Sequence, residues 1–124
     1  MATKPRTEER LSNYLRVHRR RSGLTQAELE WLLGASGGSV SLHERFENSP
    51  VLDTAISYEI VFRTPVSEIF AGRRDALARE IEARLAEMEE QLGRRDAREP
   101  RGRVIARKLM WLSERRGSDY DPTT

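Results

Sequence analysis

Apolar positions in the first half of the chain recur at helical spacing and are interrupted at short intervals by turn residues. Leu11, Tyr14, Leu15 and His18 follow three- and four-residue steps and predict an amphipathic helix over Leu11–Arg21. Ser22-Gly23 ends it, with Gly23 as a left-handed cap. Thr25-Gln26-Ala27-Glu28 has the pattern of a capping box, in which the Thr hydroxyl and the Glu carboxylate each satisfy a free backbone amide. It opens a second helix with Leu29, Leu32 and Leu33 on one face, stopped at Gly34. Ser36 is read as the N-cap of a third helix that carries Val40 inward and runs to about Glu47, with Asn48 as the positive-φ residue after it. Ser49-Pro50 opens a fourth helix whose expected apolar face is Leu52, Ile56, Ile60 and Val61. Thr64-Pro65 opens a short fifth, ending at Ile69-Phe70 and closed by Gly72.

The pattern then changes. Leu77, Ile81, Leu85, Met88 and Leu92 are spaced four, four, three and four, a heptad-like seam on a segment rich in Ala, Glu and Arg. Residues 93–103, GRRDAREPRGR, read as a basic linker, and a helical pattern resumes over 104–115 with Trp111 as the expected packing anchor. The expected organisation is a flexible arm over 1–7, a helical domain over 8–72, a helical extension over 73–116 and a disordered tail over 117–124. The fold class is all-α.

Composition narrows the function classes. Without cysteine, disulfides and thiolate metal sites are excluded. The longest apolar runs are too short to span a bilayer, and MATKPRTEER lacks the apolar stretch of a secretory signal, so a soluble cytoplasmic protein without a membrane partner is expected. The net charge of +2 is uninformative, but its distribution is not. Residues 1–23 carry a net +5, residues 24–72 a net −5 and residues 73–116 a net +4. Basic flanks around an acidic middle allow phosphate contact through part of the surface.

From Leu24 to Phe70 the chain resembles the helix-turn-helix regulators of the phage repressor/Cro (Xre-like) family. The resemblance rests on fixed offsets: Gly23-Leu24-Thr25-Gln26, Leu29, Leu33-Gly34, Ser36, Val40, Glu44-Arg45, Pro50 and Glu68-Ile69-Phe70. It implies a five-helix helix-turn-helix domain, with the helix beginning near Ser36 entering the major groove of duplex DNA. It further implies that Gln26 contacts the DNA backbone and braces that helix, and that Arg19 and Glu44 form a structural pair. Base-reading positions fall on Gly37, Gly38, Ser39 and Leu42, with Arg45 as a phosphate donor. Two glycines there carry no hydrogen-bonding side chain, and Leu42 offers only an apolar contact such as a thymine methyl. Phe46 stands where glycine is usual after the Glu-Arg pair.

Two function classes follow. The first is a sequence-specific, DNA-binding transcriptional regulator, homodimeric through Leu77, Ile81, Leu85, Met88 and Leu92. In the alternative arrangement, that seam packs on its own domain or on the helix over 104–115. The second class is a protein-interaction adaptor or antitoxin-like accessory, with Gly37, Gly38, Leu42 and Phe46 as its apolar patch. Nothing points to an enzyme or a cofactor: His18 and His43 lie in helices with packing roles, and no glycine-rich loop follows a strand.

Overall fold

The computed structural model describes residues 13–35, 37–95 and 102–117. Among them every regular element is a helix: α1 (Leu15–Arg21), α2 (Gln26–Leu33), α3 (Ser39–Glu44), α4 (Leu52–Phe62), α5 (Val66–Ile69), α6 (Ala71–Gly93) and α7 (Gly102–Arg116). The expected arm, the expected tail beyond Gly117 and most of the expected linker lie outside the described residues.

Local chemistry sets the helix ends. Thr25 Oγ1 accepts from the Glu28 amide (3.1 Å), while Glu28 Oε1 accepts from the Thr25 amide (2.9 Å), completing the box that starts α2. Hydrogen bonding of the Glu28 carboxyl to the Thr25 amide, and then to the Thr25 side chain, holds its pKa below the ordinary value. α3 is shorter than the sequence suggests. Gly37 and Gly38 both have positive φ (78° and 75°), which a right-handed helix cannot include, so α3 begins at Ser39 rather than at Ser36, itself outside the described residues. At its other end the positive-φ residue is Phe46 (φ 60°), not Asn48. Phe46 donates to His43 O (3.2 Å) and Glu47 to Leu42 O (3.0 Å), the paired bonds of a Schellman cap. The Phe46 ring packs edge-on against Phe70 at 6.3 Å, and this burial offsets the cost of a left-handed aromatic residue.

The chain divides into two units between Ala76 and Leu77, with α6 beginning in the first and running through the second. In the first unit each of the five helices supplies one fully buried side chain: Leu15, Leu29, Val40, Tyr58 and Ile69. Phe70 completes this core, with Leu33, Phe46, Val61, Phe62 and Val66 packed around it. Of the expected apolar face of α4 only Val61 packs on the core. Ala55 and Tyr58 are buried, whereas Leu52 (72% exposed), Ile56 and Ile60 (69% exposed) point outward. Gly72 does not close α5; it lies in the first turn of the 23-residue α6.

In the second unit α7 folds back along α6. Leu92, Ile105 and Leu112 are buried together, with Leu85 and Leu109 against them. Arg115 grips Glu82 with two bonds (2.7 and 3.1 Å), and Arg116 reaches Glu89 (2.8 Å). The anchors of α7 are therefore Ile105 and Leu112; Trp111 stays half exposed.

Candidate nucleic-acid interface

The last turn of α3 is fixed from four directions. The Glu44 side chain, only 3% exposed, accepts from Arg19 Nε at Oε2 (2.5 Å). Its Oε1 accepts from Arg19 Nη2 (3.2 Å) and from Gln26 Nε2 (3.1 Å). Arg19 Nη1 also donates to Leu24 O (3.0 Å). One carboxylate thus ties α3 to both α1 and the first residue of α2. Its hydrogen bond to Arg19 raises that guanidinium's pKa against the opposing effect of burial.

One residue earlier, buried His43 places Nδ1 2.8 Å from Tyr58 Oη, with the rings edge to face. Burial pushes the His43 pKa down. Burial first, and then the charges of Glu44 and Glu30, push the Tyr58 phenol up. Both shifts favour neutral groups, which share a single hydrogen bond whose direction follows the His43 tautomer. Asn13 Nδ2 donates to His43 O (3.1 Å) and Glu44 O (3.4 Å), while its Oδ1 accepts from the Leu15 amide (3.2 Å). Val40 is fully buried beneath the helix.

The other side of α3 is open. Gly37, Gly38 and Arg45 are exposed, and Ser39, Ser41 and Leu42 partly so. Gly38, Leu42 and Arg45 are spaced four and three and share one face. Ser39 Oγ is itself buried and makes no hydrogen bond. Arg45 lies in an exposed ion pair with Glu47 at 3.3 Å. The Val40 amide, one of the free donors at the start of α3, is approached by Glu30 Oε1 at 3.4 Å, so a protein carboxylate already stands there.

The structure thus gathers Gln26, Arg19 and Glu44 into one network and lines Gly37, Gly38, Leu42 and Arg45 along an open face; Gln26 braces α3 through Glu44. Two elements of this clamp were not read from the sequence. Asn13, a good cap residue just ahead of α1, was a legible signal. The His43–Tyr58 bond joins residues fifteen apart and had none. A separate cleft of about 480 Å³, bordered by Tyr14, Val17, His18, Arg21, Glu68 and Ala71, shares no lining residue with α3.

The five seam residues do not act alike. Leu92 and Leu85 pack against α7, which is the alternative arrangement, whereas Leu77, Ile81 and Met88 remain 42–47% exposed. Among the described residues no group of His, Asp and Glu is placed to hold a metal, and no helix is long and apolar enough to cross a membrane. No protein-family model, curated protein or solved structure matches the chain.

Proposed function

We propose that this chain is a duplex-DNA-binding transcriptional regulator in which α2 and α3 act as a helix-turn-helix, with α3 entering the major groove. The observation that carries the reading is the one-sided fixation of α3. His43, Glu44 and Val40 are held against α1, α2 and α4 on one side, while Gly38, Leu42 and Arg45 face outward on the other. A short helix fixed on one side and bare on the other suits insertion into a groove about 12 Å wide. Six residues of α3 span roughly 9 Å, so one copy reads few base pairs and two half-sites multiply specificity.

The test is fluorescence anisotropy of the full chain on duplex DNA, with selection from a random duplex pool. Affinity should fall steeply with salt. Arg45→Ala should weaken binding to every sequence about tenfold and lower the salt slope by about one, while Leu42→Ala should change sequence preference. Absence of binding even at low salt would overturn the reading.

A second reading, a protein-interaction adaptor, is favoured by the exposed apolar side chains Trp31 (80% exposed), Val51, Leu52 and Ile60 of the first unit. Were it correct, DNA affinity would be negligible at any salt, and substitutions at Trp31 or Leu52 would abolish capture of the partner.

A further inference from the structure

Helix α7 carries its cations in two sets. Arg115 and Arg116, in the last turn, bind Glu82 and Glu89 of α6 and complement the carbonyl end of the helix dipole. Arg103, Arg107 and Lys108, in the first two turns, do neither. All three are exposed and form no ion pair among the described residues. Arg103 stands in a first turn that holds no acid, where the dipole opposes a cation. Helix stability therefore does not account for this second set, and the hairpin does not neutralise it.

At about 100° per residue, the three cations share one sector of α7 with Val104 and Trp111. Val104 and Trp111 fall within roughly 20° of one another. Arg107 lies about 40° to one side of Trp111, with Arg103 about 40° beyond it, and Lys108 lies about 40° past Val104 on the other side. From Arg103 to Trp111 the patch is about 12 Å long. The side of α7 that meets α6 carries Ile105, Leu109 and Leu112, so most of this patch faces away from α6. Trp111 is 51% exposed, and its ring stacks on no aromatic side chain among the described residues. Two more charged groups share the sector at its far end, Glu114 and the Arg115 that Glu82 holds, so the uncompensated charge is concentrated over the first two turns.

An exposed indole with an unpaired cation on either side offers a ring face for a base and charges for the phosphates next to it, which is the pair of groups a single strand presents together. A duplex keeps its bases stacked and would engage the cations alone. A membrane surface is disfavoured, because Arg103, Glu114 and Arg107 separate Met110 from Trp111 around the helix and leave no continuous apolar stripe to insert. We infer that the outer face of α7 binds single-stranded nucleic acid, with Trp111 stacking on an unpaired base and Arg103, Arg107 and Lys108 contacting the phosphates beside it. The patch takes a few nucleotides without strong sequence preference, since every base has a π face. The chemistry is common to DNA and RNA strands. This surface belongs to the second unit and is independent of the duplex-DNA reading, which rests on the first.

The experiment uses the full chain carrying Trp31→Phe, which leaves Trp111 as its sole tryptophan. It is titrated with oligothymidylate and with oligouridylate while indole emission and strand anisotropy are followed. Both strands should quench the emission, with a dissociation constant on the order of 10–100 µM at low salt and a log–log salt slope of about −2 from three phosphate contacts. The tighter of the two names the strand the face prefers. Trp111→Ala should weaken binding by anisotropy about tenfold, and Arg107→Gln/Lys108→Gln at least about fivefold, with circular dichroism unchanged. Absence of quenching overturns the inference, as does strand binding that survives Trp111→Ala. So does equal quenching by a blunt duplex, by polyglutamate or by phosphatidylglycerol vesicles, which marks a general polyanion or membrane surface. A chain that ignores single strands yet binds duplex DNA through Arg45 removes this inference and leaves the regulator reading standing. Single-strand binding that depends on Trp111, without duplex binding, does the reverse.

Discussion

Replacing Glu44 by Ala tests whether the clamp on α3 is a structural necessity of the first unit. The Arg19 and Glu44 side chains are 12% and 3% exposed, so solvent screens their interaction little. Removing the carboxylate leaves the Arg19 guanidinium with its bond to Leu24 O and deprives it of two charged ones, while Gln26 loses its acceptor. Deleting one partner of a buried pair costs about 3–5 kcal/mol, because the remaining charge stays desolvated. A unit of this size has a total stability of roughly 3–9 kcal/mol at ~0.05–0.15 kcal/mol per residue, so the loss consumes about a third of it or more. The companion variant Arg19→Met/Glu44→Leu replaces both charges by apolar side chains and should recover most of that loss. Urea unfolding followed by circular dichroism gives the stabilities, and amide exchange at Leu29 localises them to the first unit. A cost below about 1 kcal/mol for Glu44→Ala is what an exposed pair produces and would refute the reasoning. So would a double variant as unstable as the sum of the two single ones.

Because burial holds the His43 pKa below its unfolded value near 6.5, the folded state binds fewer protons. Stability from this group is complete above about pH 6.5 and is lost as pH falls toward the folded value, which urea midpoints across pH 5–7 will register. Phe46→Ala keeps the left-handed backbone cost and loses the contact with Phe70, whereas Phe46→Gly loses only the contact. The glycine variant should therefore be the more stable by about 1 kcal/mol, the reverse of the usual ranking within helices, as thermal melts will show. Leu52→Ser and Ile60→Ser should change stability by no more than about 0.5 kcal/mol, while Tyr58→Ala should cost about 3–5 kcal/mol in the same urea assay.

What was legible in the sequence was local. The capping box at Thr25 and Glu28 is written in four consecutive residues, and the stops at Gly23 and Gly34 require only the backbone freedom of glycine. The expectations for α4 and for the ends of α3 depended on tertiary packing. Leu52, Ile56 and Ile60 form as regular an apolar stripe as any core face, yet the core is reached by Tyr58, whose hydroxyl has a partner only because α3 brings His43 within 2.8 Å. Phe46 adopts the left-handed conformation because Phe70 receives its ring, a contact no local propensity encodes; by propensity alone Asn48 is the better candidate. The seam over 77–92 was correctly read as apolar, but periodicity cannot say which neighbour covers it. Leu85 and Leu92 meet α7, and Leu77, Ile81 and Met88 do not.

The carboxylates around α2 and α3 bear on how strongly one copy could hold DNA under the proposed reading. Backbone amides at helix starts are ready anion donors, but here both relevant starts already have acidic side chains: Glu28 at Thr25 and Glu30 at Val40. Each places negative charge where a phosphate oxygen would sit. Phosphate attraction in this region then falls to side chains such as Arg45, whose pair with Glu47 is exposed and weak enough to exchange. With a short α3 bearing two glycines, a single copy has few phosphate contacts and few base contacts. Its affinity and its discrimination are therefore small for the same reason, and both rise together only when a second half-site is engaged by a linked copy.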